Sequence, residues 1–202
     1  MRTIIPDLRA FDETAVRASV EVVRRLSIAD LGRPTPCGDW RLGDLLAHMT
    51  VQHHGFAAAA NGRGADPRLW RPRPPADDPA GAYAAAAEEV LAAFRPDDVL
   101  DREFALPEVG TVHAIPGRMA ISFHFVDYVV HGWDVARSVG VAWILPDEVL
   151  RAALPIAEAV PDDATRLQPG AAFAPRMPEP DGDDPLGRIL ALLGRSPDWA
   201  PA

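Results

Sequence analysis

The sequence predicts an all-α protein with one small β-hairpin and a short C-terminal segment docked on the helices. Long stretches carry apolar side chains at the spacing of an α-helix. Alternation of apolar and polar residues, which is typical of strands, is confined to one short region. A chain of 202 residues with 48% hydrophobic composition can bury one sizeable core. We therefore expect a helical bundle over residues 1–160 and a proline-rich segment over residues 161–202.

Three helices are expected in the first half of the chain. The first covers about Asp12–Leu26, where valines recur at helical spacing and Asp12 is well placed to cap the start. The second covers Leu42–Asn61, because the Asn-Gly pair that follows its apolar positions is a helix stop signal. The third is the alanine-rich run Pro79–Phe94, since proline is tolerated in a first helical turn.

The second half begins with extended segments and then returns to helical spacing. Residues 99–116 predict a hairpin around a turn at Pro107–Gly110. Helices are expected over Gly117–Ser138, Pro146–Ala159 and Pro185–Leu193, each followed by a glycine or proline signal. The last helix is short and has an apolar face, so we expect it to dock on the bundle.

Composition excludes several functions. The net charge is −9, with 20 arginines and no lysine, and no basic block is long enough to follow a phosphate backbone. A nucleic-acid partner is therefore not expected, and a lysine Schiff base is impossible. The single cysteine, Cys37, excludes an intrachain disulfide. With no signal-peptide or transmembrane pattern, we expect a soluble cytoplasmic protein, monomer or homodimer, that acts on a small molecule away from membranes.

The main functional signal is a row of polar side chains on the fourth predicted helix. His124, Asp127, His131 and Asp134 follow one another at offsets of three, four and three residues. At about 100° per residue, they fall within roughly 80° of each other around the helix. Most neighbouring positions are apolar, so these groups need partners inside the protein. Their residue types suggest a divalent metal.

The second predicted helix supplies a further candidate ligand. His48 lies on one face of this helix, whereas His53 and His54 are rotated away from it by more than about 90°. If the second and fourth helices pack side by side, His48 meets Asp127 and His131. Two imidazoles and a carboxylate suit Zn²⁺, and also Ni²⁺, Fe²⁺ or Mn²⁺, and they leave coordination positions open, as in catalytic sites.

Spacing alone leaves simpler interpretations open. A histidine on an apolar helix face is more often an ordinary core residue than a ligand. Asp127 could pair with a helix dipole or an arginine, and Asp134 with Arg137 three residues on. Cys37 has no adjacent histidine in the sequence, so a small buried thiol that helps Trp40 pack is favoured over a nucleophile.

Three segments resemble a known family. They are Thr35–His48 (TPCGDWRLGDLLAH), Val126–Gly140 (VDYVVHGWDVARSVG) and Pro169–Pro175 (PGAAFAP). Together they resemble the actinobacterial metal-binding branch of the DinB-like superfamily, which is related to mycothiol-dependent maleylpyruvate isomerase. The resemblance extends from about residue 10 to the end for this branch, and to about residue 140 for the isomerase.

The resemblance implies a DinB-like four-helix bundle with a metal at one end of its core. Carried over by position, the metal ligands are His48, Asp127 and His131. Members of this superfamily activate a low-molecular-weight thiol, commonly mycothiol or bacillithiol, for isomerisation or S-transfer. The implied cofactors are therefore a divalent transition metal, zinc first, and mycothiol as co-substrate. A coordinated thiol loses its proton more easily, so a nucleophile exists at neutral pH.

Two differences from the isomerase limit what the resemblance implies. The isomerase has glutamate where this chain has Asp127, which is one methylene shorter. It also has a larger C-terminal domain that supplies an arginine to the substrate, and the roughly forty-residue tail here is too short to replace that domain. The resemblance therefore does not identify the substrate.

His124 and Asp134 are the candidate catalytic residues. His124 could be a fourth ligand, orient Asp127, or act as a general base near a bound thiol; an ordinary buried histidine is the alternative. Asp134 could orient His131, with a surface charge as its alternative. A second hypothesis keeps the pocket without the metal, as a cyclase, isomerase or tailoring enzyme in which the histidines and aspartates act as acid and base. A third is a non-catalytic metal- or ligand-binding protein.

Overall fold

The computed structural model describes residues 6–74, 76–107, 114–168 and 170–201. In this part of the chain the fold is all-α with a two-stranded antiparallel sheet, which confirms the predicted class. No helix within it is long and apolar enough to cross a membrane. The elements are α1 (Arg9–Val23), α2 (Leu42–Ala60), α3 (Pro79–Phe94), β1 (Glu103–Ala105), β2 (Ala114–Pro116), α4 (Gly117–Val139), α5 (Asp147–Ala159) and α6 (Pro185–Leu192).

Helices α1 to α4 form the bundle. Helix α1 packs mainly on α4, α2 packs mainly on α3, and α2 and α4 also contact each other. The valines of α1 that recur at helical spacing, Val16, Val20 and Val23, are buried in the core. Helix α4 is buried on nearly every side, because α5 covers it as well. His124, His131 and Asp134 therefore lie inside the protein.

The start of α1 differs from the sequence prediction. The helix begins at Arg9 and ends at Val23, about one turn earlier than expected at each end. Asp12 is not its cap: the side chain is fully buried, and Oδ1 lies 2.6 Å from Nδ1 of His124 on α4. A buried carboxylate needs such a partner, and helical spacing alone does not reveal a partner 112 residues away.

The predicted hairpin is present as a short antiparallel pair. Strand β1 pairs with β2, with Phe104 opposite Ile115, and the Phe104 side chain is fully buried. The predicted turn at Pro107–Gly110 lies outside the described residues after position 107. Strand β2 leads directly into α4, so the hairpin fixes where this helix begins.

Helix α6 docks the C-terminal segment, and one buried arginine links parts of this segment to each other. Helix α6 packs on α5, and its apolar side chains Ile189, Leu190 and Leu192 are buried, as is Leu193 directly after the helix. Arg166, which is 7% exposed, lies in a short 3₁₀ turn that the sequence did not predict. Its guanidinium donates to the carbonyl oxygens of Pro161, Ala174 and Leu192.

Candidate metal centre

The candidate centre lies where α2 meets α4. His48 on α2 and Asp127 and His131 on α4 each offer one ligand atom, and these atoms all lie within 4.8 Å of one another. Nε2 of His131 is 3.3 Å from Oδ1 of Asp127. The rings of His48 and His131 meet edge to face, with centroids 5.2 Å apart. The structure thus brings together the three side chains that the sequence selects.

These three donors fit a metal of the expected kind. Ligand atoms at 2.0–2.2 Å from a tetrahedral Zn²⁺ are about 3.4 Å apart, and the pair formed by His131 and Asp127 already has this separation, at 3.3 Å. No donor pair needs to close by more than about 1.4 Å to reach the same geometry. The Asp127 side chain is 26% exposed, so the centre opens to solvent on that side.

His48 is neutral at neutral pH. Burial lowers its pKa to about 4, with help from the positive charges of His131 and Arg195 and against the opposing effect of Asp127. Only the neutral ring binds a metal, so this environment keeps His48 ready as a ligand. The indole of Trp40 packs 4.9 Å from the His48 ring and is 39% exposed, which places it on the rim of the centre.

His131 lies between two carboxylates. Its Nε2 faces Asp127, and its Nδ1 is 2.9 Å from Oδ2 of Asp134. Burial lowers the pKa of this ring, but the opposite effect of Asp127 and Asp134 is larger. The pKa of His131 therefore lies well above the ordinary value of 6.5. A metal at Nε2 would replace the proton on that nitrogen, while the Nδ1 hydrogen bond to Asp134 fixes the orientation of the ring.

A second group of donors lies on the other side of His131. Cys37 Sγ is 2.9 Å from Oδ2 of Asp134 and 3.8 Å from Nδ1 of His131, close enough for these three to form a metal site. However, Nη2 of Arg195 is 3.3 Å from Oδ2 of Asp134 and 3.5 Å from Cys37 Sγ. Although burial opposes ionisation, Arg195 and His131 lower the pKa of Asp134. A guanidinium already neutralises this group, so we place the metal candidate on the His48 side.

Sequence reasoning missed Cys37 and Arg195 as parts of the centre. No histidine is adjacent to Cys37 in the sequence, but in the folded protein His131 lies beside it. The suggested pairing of Asp134 with Arg137 is also wrong: Arg137 donates to the backbone carbonyl of Trp199, and Asp134 pairs with Arg195 instead. The only local signal near Arg195 is the glycine before it, which ends the last helix.

The structure separates His124 from the candidate centre. It lies two helical turns before His131, about 10 Å along the axis, and is fully buried. Its Nδ1 is 2.6 Å from Asp12, and its Nε2 is 3.1 Å from Nδ1 of His53. Both ring nitrogens therefore have partners, which fits a core histidine and not a metal ligand or a base near a thiol. Asp134, in contrast, is fully buried beside His131 and is not a surface charge.

Comparison with known proteins places this chain in a family. The family model described as the mycothiol maleylpyruvate isomerase N-terminal domain matches residues 13–136. Two uncharacterized proteins of Mycobacterium tuberculosis, one from strain CDC 1551 / Oshkosh and one from strain ATCC 25618 / H37Rv, are each 30% identical to this chain over 166 residues. Each match covers 82% of this chain and 85% of the relative.

Solved structures share the fold. A crystal structure of mycothiol-dependent maleylpyruvate isomerase has a TM-score of 0.55 at 12% identity, covering 76% of this chain and 69% of the isomerase. A histidine-to-alanine variant of the isomerase has a TM-score of 0.56 at 11% identity, with the same coverage. A DinB-like protein of Bacillus subtilis has a TM-score of 0.51 at 16% identity, covering 70% of this chain and 96% of that one. The chain therefore has a DinB-like fold and belongs to the mycothiol maleylpyruvate isomerase N-terminal domain family.

Proposed function

We propose that this protein binds one divalent transition metal through His48, Asp127 and His131 and uses it with a low-molecular-weight thiol such as mycothiol. The reaction is S-transfer to, or isomerisation of, a small electrophilic substrate. The observation that carries the proposal is the set of three donor atoms, from two helices, that lie within 4.8 Å of one another. Membership of the isomerase N-terminal domain family supports the use of a thiol.

The protein's own side chains prepare the centre for this chemistry. His48, Asp127 and His131 would hold a divalent metal, which would lower the pKa of a coordinating thiol and so supply a thiolate nucleophile at neutral pH. Burial keeps His48 neutral, and Asp134 holds the Nδ1 side of His131. Two nitrogens and one oxygen are a common donor set for catalytic Zn²⁺ and leave a position open for a thiol. Trp40 lies half-exposed beside His48 and forms one wall for the reactants.

Metal binding can be tested directly with protein purified without a histidine tag. We expect the stripped protein to bind about one equivalent of Zn²⁺ in competition with a chromophoric chelator. His48→Ala and His131→Ala should each weaken binding by about a hundredfold or more, since loss of even a supporting residue typically costs 10- to 100-fold. His54→Ala is the matched control, because His54 is an exposed histidine of α2 that pairs with Glu89. Less than about a tenth of an equivalent bound by the wild type contradicts the proposal.

Thiol use needs its own assay. Conjugation of a model electrophile such as 1-chloro-2,4-dinitrobenzene is followed with and without mycothiol, in the metal-loaded and stripped protein. We expect a mycothiol-dependent rate that is lost on stripping, restored by Zn²⁺ and absent in His131→Ala. A protein that binds Zn²⁺ but gives no thiol-dependent rate with a panel of electrophiles would be a non-catalytic metal-binding protein.

A second candidate function needs no metal, and the surroundings of His131 favour it. The ring lies between Asp127 and Asp134, which raise its pKa, so it is protonated at neutral pH and can act as a general acid. His124, which is buried in the core, takes no part. Full activity after metal stripping, combined with loss of activity in His131→Gln, would favour this acid-base function over the metal-dependent one.

A further inference from the structure

The C-terminal segment reaches the candidate metal centre through one side chain. The turn that follows α6 contains Gly194, which has a φ of +76°. A Cβ atom at this position would lie 2.5 Å from the carbonyl oxygen of Ala174, so the chain turns here in close contact with its own segment. The turn directs the next residue, Arg195, towards α4, where it is 7% exposed. Its Nη1 donates to the carbonyl oxygen of Leu193 at 3.1 Å, which further fixes the guanidinium.

One carboxylate oxygen links Arg195 to the centre. Oδ2 of Asp134 accepts from Nη2 of Arg195 at 3.3 Å and from the Cys37 thiol at 2.9 Å. The same oxygen lies 2.9 Å from Nδ1 of His131. Because Asp134 is fully buried, its charge depends on these partners rather than on water. Arg195 is thus the arginine that neutralises the carboxylate holding His131.

We propose that Arg195 is a positioning residue of the metal centre. It keeps Asp134 against Nδ1 of His131, and this contact keeps Nε2 of the same ring directed towards His48 and Asp127. Metal occupancy therefore depends on docking of the C-terminal segment. This inference rests on the proposed metal binding, and it goes beyond it by assigning a role to a residue that lies outside the bundle.

Charge repulsion alone predicts the opposite change in metal affinity when Arg195 is removed. Arg195 is a cation near the centre, and its charge helps to lower the pKa of His48. If charge repulsion were its main effect, removing Arg195 would strengthen binding of a metal cation. If Arg195 positions His131, removing it weakens binding, because supporting residues of metal ligands typically contribute 10- to 100-fold in affinity.

The experiment measures Zn²⁺ affinity by chelator competition and the visible spectrum of the Co²⁺-loaded protein. We expect Arg195→Met to weaken Zn²⁺ binding by about 10- to 100-fold and to change the Co²⁺ spectrum. Arg195→Lys, which keeps the positive charge, should recover at least half of this loss on a logarithmic scale. Arg188→Met is the control, since the Arg188 side chain lies on α6 and forms exposed ion pairs with Glu158 and Glu179. The Zn²⁺ affinity of this variant should be that of the wild type.

A second set of variants guards against a folding defect in Arg195→Met. Arg195 is proposed to act through the carboxylate of Asp134, and Asp134→Asn removes this charge while keeping the shape of the side chain. Arg195→Gln should therefore lower Zn²⁺ affinity in the wild type but not in the Asp134→Asn background. Equal losses in both backgrounds would overturn the inference, as would wild-type or tighter affinity in Arg195→Met. Failure of the wild type to bind Zn²⁺ would instead remove the proposed function and this inference together.

Discussion

Asp127 is the carboxylate among the three proposed ligands, and its side chain is one methylene shorter than that of glutamate. The four-residue offset on α4 nevertheless brings Oδ1 to 3.3 Å from Nε2 of His131. A contact of this length is what two ligands of one ion require. The shorter side chain therefore still reaches the centre.

The role of Asp127 can be tested with two substitutions. Asp127→Ala removes the carboxylate and should weaken Zn²⁺ binding by about a hundredfold or more. Asp127→Glu keeps the carboxylate on a longer side chain and should bind Zn²⁺ within about tenfold of the wild type, since only the length changes. Isothermal titration with Zn²⁺ measures both affinities. Asp127→Ala with unchanged affinity would show that Asp127 is not a ligand.

His53 makes the stability of the fold sensitive to acid. This ring is fully buried, stacks on Tyr128 and lies 3.1 Å from His124. Burial, together with His124 and His54, lowers its pKa well below the ordinary value of 6.5. The unfolded chain takes up a proton near this ordinary value, whereas the folded protein does not. Stability is therefore fully present above about pH 6.5 and is lost as the pH falls below it.

Urea unfolding between about pH 7.5 and pH 5.5 measures this effect. One such proton lowers the free energy of unfolding by up to about 1.4 kcal/mol per pH unit below the ordinary pKa. We expect His53→Asn to reduce this dependence on pH, even if it also destabilises the fold at pH 7.5. His54→Asn, an exposed neighbour, should keep the wild-type dependence. Identical pH dependence in His53→Asn and the wild type would contradict the assignment.

Helix α4 holds two separate polar clusters along its length. Near its middle, His124 joins Asp12 of α1 and His53 of α2 in the core. One to two turns later, Asp127 and His131 meet α2 again at the candidate metal centre. Neighbouring elements cover this helix on nearly every side, so the first cluster is fully enclosed and the second is open to solvent only beside Asp127. The packing around α4 therefore determines the geometry of the centre.

Gly132 is required for this packing. This glycine directly follows His131 in the chain. A Cβ atom added to it would lie 2.2 Å from the indole of Trp143. We expect Gly132→Ala to lower the free energy of unfolding by about 1–3 kcal/mol, the usual cost of overpacking. Gly43→Ala is the control, because a Cβ on this glycine of α2 would meet Leu31 at ordinary contact distances of 3.4 and 3.5 Å. It should be neutral or stabilising by up to about 1 kcal/mol. Gly132→Ala as stable as the wild type in urea unfolding would contradict the packing.

For the whole molecule, the main question is what holds the C-terminal segment together. The side chain of Arg166 is buried within the segment and donates hydrogen bonds to three carbonyl groups from different parts of it. Arg166→Leu leaves these acceptors without a charged donor, which should cost about 2 kcal/mol or more of stability. Arg188→Leu, which breaks exposed ion pairs only, should cost less than about 1 kcal/mol.

Hydrogen exchange locates this effect within the molecule. In Arg166→Leu, we expect faster amide exchange in residues 161–195 while α2 and α3 stay protected, because the segment loosens before the bundle. Uniformly faster exchange along the chain would mean that bundle and segment unfold as one unit. That result would contradict the division predicted at residue 160.

How far the sequence predicts this molecule depends on the distance between partners. His48, Asp127 and His131 lie on two helices with clear periodicity, so their meeting follows once those helices pack side by side. Cys37 and Arg195 lie in loops and are 158 residues apart, and no local pattern links them. Helical spacing predicts Asp12 as a helix cap, because a carboxylate at a helix start is usually solvated, whereas its core partner, His124, lies 112 residues away in the sequence. Long-range pairing between polar groups is what the sequence did not reveal.

Anomalous diffraction from Zn²⁺-loaded crystals, collected at the zinc absorption edge, tests the central claim most directly. We expect one peak at about 2.0–2.2 Å from Nε2 of His131, from a ring nitrogen of His48 and from a carboxylate oxygen of Asp127. A peak between Cys37 and Asp134, or no peak near α2 and α4 at saturating Zn²⁺, would contradict it.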